Sequence, residues 1–175
     1  MNNSIKVIDD VVSKLYQDHI EEMFSSFYWE FIDGITHQNG VDPNSGFSRT
    51  LFNSKKRIEL PENKFLLPLL FEGISKYNKG AILKDLYRVR GVLWIKDQNK
   101  GSHLPHCDLD TEHHTMVYYI NDTDAPTQLY RDGKGFKEVH PKKGRALIFP
   151  GDTQHSSASP TKSIRRMILN FNFLI

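Results

Sequence analysis

The sequence predicts an α+β domain in which helices come first and an antiparallel strand assembly follows. Two observations carry this. Apolar residues recur at spacings of three and four in the first third of the chain, the period of a helix with one buried face. From Leu86 onwards the pattern changes to short runs rich in β-branched and aromatic residues, separated by turn chemistry, as in a sandwich or barrel. Helices covering one sheet would bury both sets of apolar faces. The 175 residues suit one domain over 1–175, with mainly helical support over 1–80 and the strands over 81–175.

Taken in order, Val11, Val12, Leu15, His19, Ile20, Met23, Phe24 and Phe27 outline the first helix, with Asp9 or Asp10 as its cap. Residues 37–48, HQNGVDPNSGFS, show no periodicity and read as a loop that borders the cavity and contributes to substrate choice. Residues 62–77 read as a second helix, stopped by Asn78-Lys79-Gly80; Pro68 within it implies a kink or a later start. The strands are YRVRGVLWI, TMVYYIN, TQLYR, FKEVH, RALIF and RRMILNFNFLI. Asn121-Asp122-Thr123-Asp124 and Asp132-Gly133-Lys134-Gly135 mark two tight turns.

The last strand can be read by parity. Met167, Leu169, Phe171 and Phe173 share an apolar face suited to packing under the helices. Arg166, Ile168, Asn170 and Asn172 share the other face, where buried polar groups need partners because each left unpaired costs roughly 1–3 kcal/mol. Arg166, rather than Arg165, therefore faces a cavity, and an active site would supply the missing partners.

Composition narrows the function classes. Lys+Arg 23 against Asp+Glu 21, a net charge of +2, gives no argument for a nucleic-acid or membrane partner. Lys55-Lys56-Arg57 and Lys142-Lys143-Gly144-Arg145 then read as solvated charges. The single cysteine excludes an internal disulfide, and no apolar run approaches the roughly 20 residues of a membrane span. With no secretion signal visible at MNNSIKVIDD, the expectation is a soluble cytoplasmic protein.

His106-Cys107-Asp108 and the distant His155 carry the chemistry. Two imidazoles and one carboxylate make the facial set of a non-haem Fe(II) oxygenase, which leaves metal positions open for cosubstrate and oxygen. On a strand His106 and Asp108 would share a face while Cys107 points away. Asp110 has the same parity and is the alternative carboxylate. His103, His113 and His114 beside the loop read as solvated rather than ligating, with no role assigned to His113 and His114, and Cys107 reads as an inert neighbour or, beside an oxidising iron, a self-oxidation target.

These segments, with HCD, MVYYIND, PTQLY, PKKGRALIFPGDTQHSS and RRMILNFNF, resemble the 2-oxoglutarate- and Fe(II)-dependent oxygenases, in particular small prolyl-hydroxylase-like members. The resemblance implies a double-stranded β-helix, a jelly roll with N-terminal helices packed on one sheet. It makes His106, Asp108 and His155 the iron ligands, and places Arg166 on the far carboxylate of 2-oxoglutarate, with Tyr118 either its partner or a simple core residue. Tyr119, of opposite parity, would then be packing. The implied cofactors are Fe(II), 2-oxoglutarate and O2. The implied reaction is oxidative decarboxylation to succinate coupled to hydroxylation of a small-molecule or peptide substrate, with prolyl or peptidyl chemistry favoured.

A second reading stays open. Gly144, Pro150 and His155 also resemble half of a cupin motif, which would make the chain a metal-binding protein or isomerase that needs no 2-oxoglutarate. The HxD where a cupin wants HxH, and the terminal Arg, speak against it. A jelly-roll binding module without catalysis is the third class.

Overall fold

The apolar period of the first third does give a helix, but a shorter one than the pattern outlines. The computed structural model describes residues 4–33, 45–98 and 102–175. In it α1 spans Lys14–Ser25, and the cap is Ser13, whose hydroxyl accepts from the Tyr16 amide. Neither Asp9 nor Asp10 caps it. Asp9 is held by Arg145 at 2.6 and 3.1 Å, and Asp10 sits in the left-handed region at φ 48°, where the chain turns before the helix. The buried face is Gln17, Ile20 and Phe24, while Leu15 and His19 are exposed. A second helix, α2 (Pro61–Tyr77), starts with a proline at its first position and runs on through Pro68. An interior proline costs roughly 3 kcal/mol, and the burial of Leu66, Leu69, Leu70, Ile74 and Tyr77 on the same helix outweighs it.

All six expected strands form: β5 (Asp85–Ile95), β6 (His114–Tyr119), β7 (Thr127–Arg131), β8 (Lys134–Val139), β9 (Ala146–Pro150) and β11 (Arg165–Leu174). Five more were not read from the sequence. These are β1 (Lys6–Ile8), β2 (Glu30–Ile32), β3 (Gly46–Asn53), β4 (Ile58–Glu59) and β10 (His155–Ser156). The segment before residue 80 thus supplies strands as well as helices. Of the expected loop, 46–48 opens β3, and the remainder up to residue 44 lies outside the described residues.

Two antiparallel sheets face each other. The larger has the order β1-β9-β6-β11-β5-β3-β2, with β4 beside β3; the smaller is β10-β7-β8. Met167, Leu169, Phe171 and Phe173 pack with Ile20, Phe24, Leu69 and Ile74 of the helices, as the parity predicts. Gly91 makes the closest approach there: a Cβ on it would lie 2.5 Å from the Phe24 ring. The opposite face meets the smaller sheet through Val92, Trp94, Val117, Tyr119, Leu129 and Phe149.

Of the two expected turns, only one is tight. Asp132 and Gly133 both have positive φ, 51° and 72°, and close the β7–β8 hairpin as a type I′ turn. Residues 121–124 instead carry the chain from the large sheet to the small one. Asn121 is tied to Arg165 and Met167, and Asp124 accepts the backbone N–H groups of Thr161, Lys162 and Ser163.

Candidate active site

Between the two sheets His106, Asp108 and His155 converge, with one ligand atom from each within 4.8 Å of the others. His106 is not part of a strand as expected. It forms a one-residue bridge with His155, exchanging both backbone hydrogen bonds at 2.9 Å, and Asp108 follows outside any strand. His155 opens β10 and pairs with Leu129. The two rings lie 4.6 Å apart, and Phe149 meets His155 edge-on.

The ring orientations are set by backbone carbonyls. His106 Nδ1 lies 3.2 Å from Leu104 O, and His155 Nδ1 lies 3.2 Å from Thr153 O. A carbonyl only accepts, so each Nδ1 carries the proton and each Nε2 offers a lone pair. Burial pushes His155 down to about 4, which keeps it neutral and ligand-competent at pH 7.

Asp108 is 5% exposed and surrounded by donors. Arg88 reaches Oδ1 at 2.7 Å, Thr115 and Asn172 reach Oδ2, and the Asn170 amide spans both oxygens. Burial works against its charge. The neighbouring His155, Arg88 and His106 and the Asn170 hydrogen bond outweigh that and hold the carboxyl well below the usual range. Asp110 is not brought in: it lines a separate surface cavity with Glu112, His113 and Asp152.

Arg166 projects into the same cavity and is completely buried. Its guanidinium stacks on Trp94 at 4.8 Å and faces Tyr119 at 5.9 Å. One nitrogen donates to Thr127 Oγ1 at 2.8 Å, whereas Nε and Nη1 have no hydrogen-bond partner among the described residues. Burial lowers its pKa to about 10, so it remains charged at neutral pH. No carboxylate faces it among the described residues. Arg165 points to the helices and donates to Ser25.

Tyr118 is not brought to Arg166. The register between β6 and β11 pairs Tyr118 with Leu169 and Tyr119 with Ile168, so Tyr119 shares the Arg166 face and Tyr118 packs under the helices. The Tyr119 hydroxyl donates to the Thr127 oxygen that Arg166 also uses. Tyr119 and Thr127 are thus site residues that the sequence reading missed. The expectation for three histidines also changes, since His103, His113 and His114 are all buried rather than solvated. His103 lies between Ser157 and Ser159 against Trp94, and His114 packs with Tyr77 and Phe173. Cys107 lies near the Asp152 carbonyl, and burial pushes its thiol up, away from the reactive thiolate.

No protein-family model and no curated protein matches the sequence. Solved structures do match. A 2OG-Fe(II) oxygenase family oxidoreductase from Burkholderia pseudomallei aligns over 97% of this chain and 84% of its own, with TM-score 0.74 and 12% identity. The fold is that of the 2-oxoglutarate–Fe(II) oxygenases. A Trichoplax adhaerens prolyl hydroxylase, solved with a hypoxia inducible factor peptide, covers 98% of this chain and 84% of its own at TM-score 0.68 and 15% identity. A Pseudomonas putida prolyl-4-hydroxylase covers 99% and 94% at TM-score 0.66 and 13% identity. At these identities the likeness establishes the architecture, a jelly roll with two helices on its larger sheet.

Proposed function

We propose that this chain is a non-haem Fe(II) dioxygenase that couples oxidative decarboxylation of 2-oxoglutarate to hydroxylation of a small-molecule or peptide substrate, with 1–175 working as one unit. The observation that carries the reading is Arg166. It is a fully buried guanidinium with two nitrogens unpartnered among the described residues, in the cavity that also holds two Nε2 lone pairs and an ionised carboxylate. A buried cation without a counter-charge is costly, and a dicarboxylate chelated at the metal would supply that charge. A cupin-type reading leaves this arginine idle.

The donor set fits the group. His106 Nε2, His155 Nε2 and a carboxylate oxygen of Asp108 would hold Fe(II), a hard-to-borderline ion suited to imidazole and carboxylate. When bound, iron and 2-oxoglutarate would supply the oxidising chemistry with O2, yielding succinate and CO2. The protein's share is positioning. Leu104 and Thr153 fix the imidazole tautomers, Arg88, Asn170 and Asn172 keep Asp108 charged, and Thr127 and Tyr119 aim the Arg166 fork. The apolar wall of Val92, Val117 and Ile168 keeps water from the reacting centre.

The test is anaerobic addition of Fe(II) and 2-oxoglutarate to the purified protein. A visible charge-transfer band, followed by succinate release on admitting O2, is expected. Metal uptake with neither band nor succinate overturns the proposal and leaves a metal-binding jelly roll.

A further inference from the structure

A second arginine lines the cavity that holds Arg166, and among the described residues it has no hydrogen-bonding task. Arg90 sits on β5 with its side chain on the cavity face, four residues along the strand from Trp94. Across the ladder its direct partner is Asn170 of β11, so the two side chains stand next to each other. Arg90 forms no hydrogen bond or ion pair among the described residues. It is not needed by Asp108, which Arg88, Thr115, Asn170 and Asn172 already hold. Burial and the neighbouring Arg88 charge lower its pKa to about 10, with the Asp108 charge offsetting part of that.

Asn170 presents an unfilled acceptor beside it. Its amide nitrogen must face Asp108, because an ionised carboxylate accepts only. The amide orientation is therefore fixed, and Oδ1 is left buried with no donor among the described residues. A forked cation that solvent still reaches and a buried bare acceptor thus lie side by side in the cavity wall, and the acceptor lacks the partner that protein interiors normally provide.

Resting on the oxygenase reading above, we infer that Arg90 and Asn170 anchor the substrate to be oxidised, and that this substrate carries a carboxylate next to an N–H group. The carboxylate takes the two parallel donors of the guanidinium, and the N–H donates to Asn170 Oδ1. An α-amino acid and the C-terminal residue of a peptide share this chemistry. Because Asn170 also holds Asp108, the anchor places the atoms beyond the carboxylate beside the metal ligand itself. Arg90 is then the specificity-determining residue, whereas Arg166 serves the cosubstrate.

The experiment is anaerobic calorimetry on the protein loaded with Mn(II) and 2-oxoglutarate. The probes are free L-amino acids, N-acetyl-L-amino acids and pentapeptides, each as the free acid and as the C-terminal amide. At least one acid should bind about 10- to 100-fold more tightly than its amide. Arg90→Gln should bring such a pair within about twofold, and Arg90→Lys, which keeps the charge but not the fork, should retain part of the preference. Tighter binding of pentapeptide acids than of amino acids assigns the site to a chain terminus, and the reverse to a free amino acid. The inference is overturned if acids and amides bind alike, if no probe binds, or if Arg90→Gln keeps the preference. Should Arg90→Gln fail to fold, the acid–amide comparison on the unaltered protein decides. Failure of 2-oxoglutarate itself to bind marks the different case in which the oxygenase reading falls and takes this inference with it.

Discussion

Replacing Arg166 with Ala removes a buried fork but leaves Trp94, Tyr119 and Thr127 in place. Loss of a charge-assisted pair to a desolvated carboxylate costs roughly 2–5 kcal/mol, about 30-fold to several thousand-fold in affinity. Titrating 2-oxoglutarate against the metal-loaded Arg166→Ala protein should show that weakening with metal affinity nearly unchanged, while Arg165→Ala should match the unaltered protein. For the candidate ligands, His106→Ala is the informative change, because it removes a lone pair and leaves Asp108 paired. It should abolish 2-oxoglutarate turnover at near-normal thermal stability. Asp108→Ala strips Arg88 of its counter-ion and should cost roughly 3–5 kcal/mol of stability besides activity, which urea unfolding separates from the chemistry. The tyrosines offer a third test. Tyr119→Phe loses the hydroxyl that orients Thr127 under Arg166, so 2-oxoglutarate binding should weaken several-fold. Tyr118→Phe only deletes a buried hydroxyl that has no partner among the described residues, so unfolding should show equal or slightly higher stability and unchanged cosubstrate affinity. The sequence made Arg166 legible because β11 alternates apolar with polar. It hid the choice between Tyr118 and Tyr119 because every residue of β6 is buried, on one face by helices and on the other by the small sheet. Such a strand has no parity of its own, and only its register with β11 tells its faces apart.

At the scale of elements, the contact between α1 and the large sheet depends on one missing side chain. Gly91→Ala would push a methyl group into the Phe24 ring, and a packed ring has little room to yield. The expected loss is about 1–3 kcal/mol in chemical denaturation, with the metal site unaffected because Gly91 lies on the helix side. Phe24→Leu in the same background should recover part of it. Elements with a strong period were readable, including both helices and six strands. β3 was not, for a reason tied to its position. Its cavity-facing residues, Ser48 and Thr50, pair with Val92 and Arg90, so they are polar, and GFSRTLFN carries little β signature. The strands of two or three residues are too short to show a period at all.

For the whole molecule, pH should act through its carboxylates. The Arg145 guanidinium holds Asp9 below its ordinary value. Burial opposes the charge of Asp124, but the N–H groups of Ser163, Lys162 and Thr161 and the Thr161 hydroxyl overcome it and set that carboxyl lower still. A depressed folded value means that the stabilisation is complete above the unfolded carboxylate value of about 4 and fades as pH falls through the folded values. Asp124→Ala should therefore cost about 1.5–3 kcal/mol at pH 7 by urea unfolding, and the difference from the unaltered protein should shrink as pH falls well below 4.

β11 lies in the interior of the larger sheet, hydrogen-bonded to β6 on one side and β5 on the other, with phenylalanines beneath it. A strand so enclosed is expected to be among the last to open in hydrogen exchange, so Arg166 and Asn170 are displayed on a slow-opening part of the molecule. The backbone of 106–108 is joined to the sheets by the single bridge at His106, while Arg88, Thr115, Asn170 and Asn172 hold Asp108 in place. Parting of that one bridge would release His106 while Asp108 and both arginine-bearing strands stay shut, which would separate the lifetime of a bound ion from the lifetime of the fold.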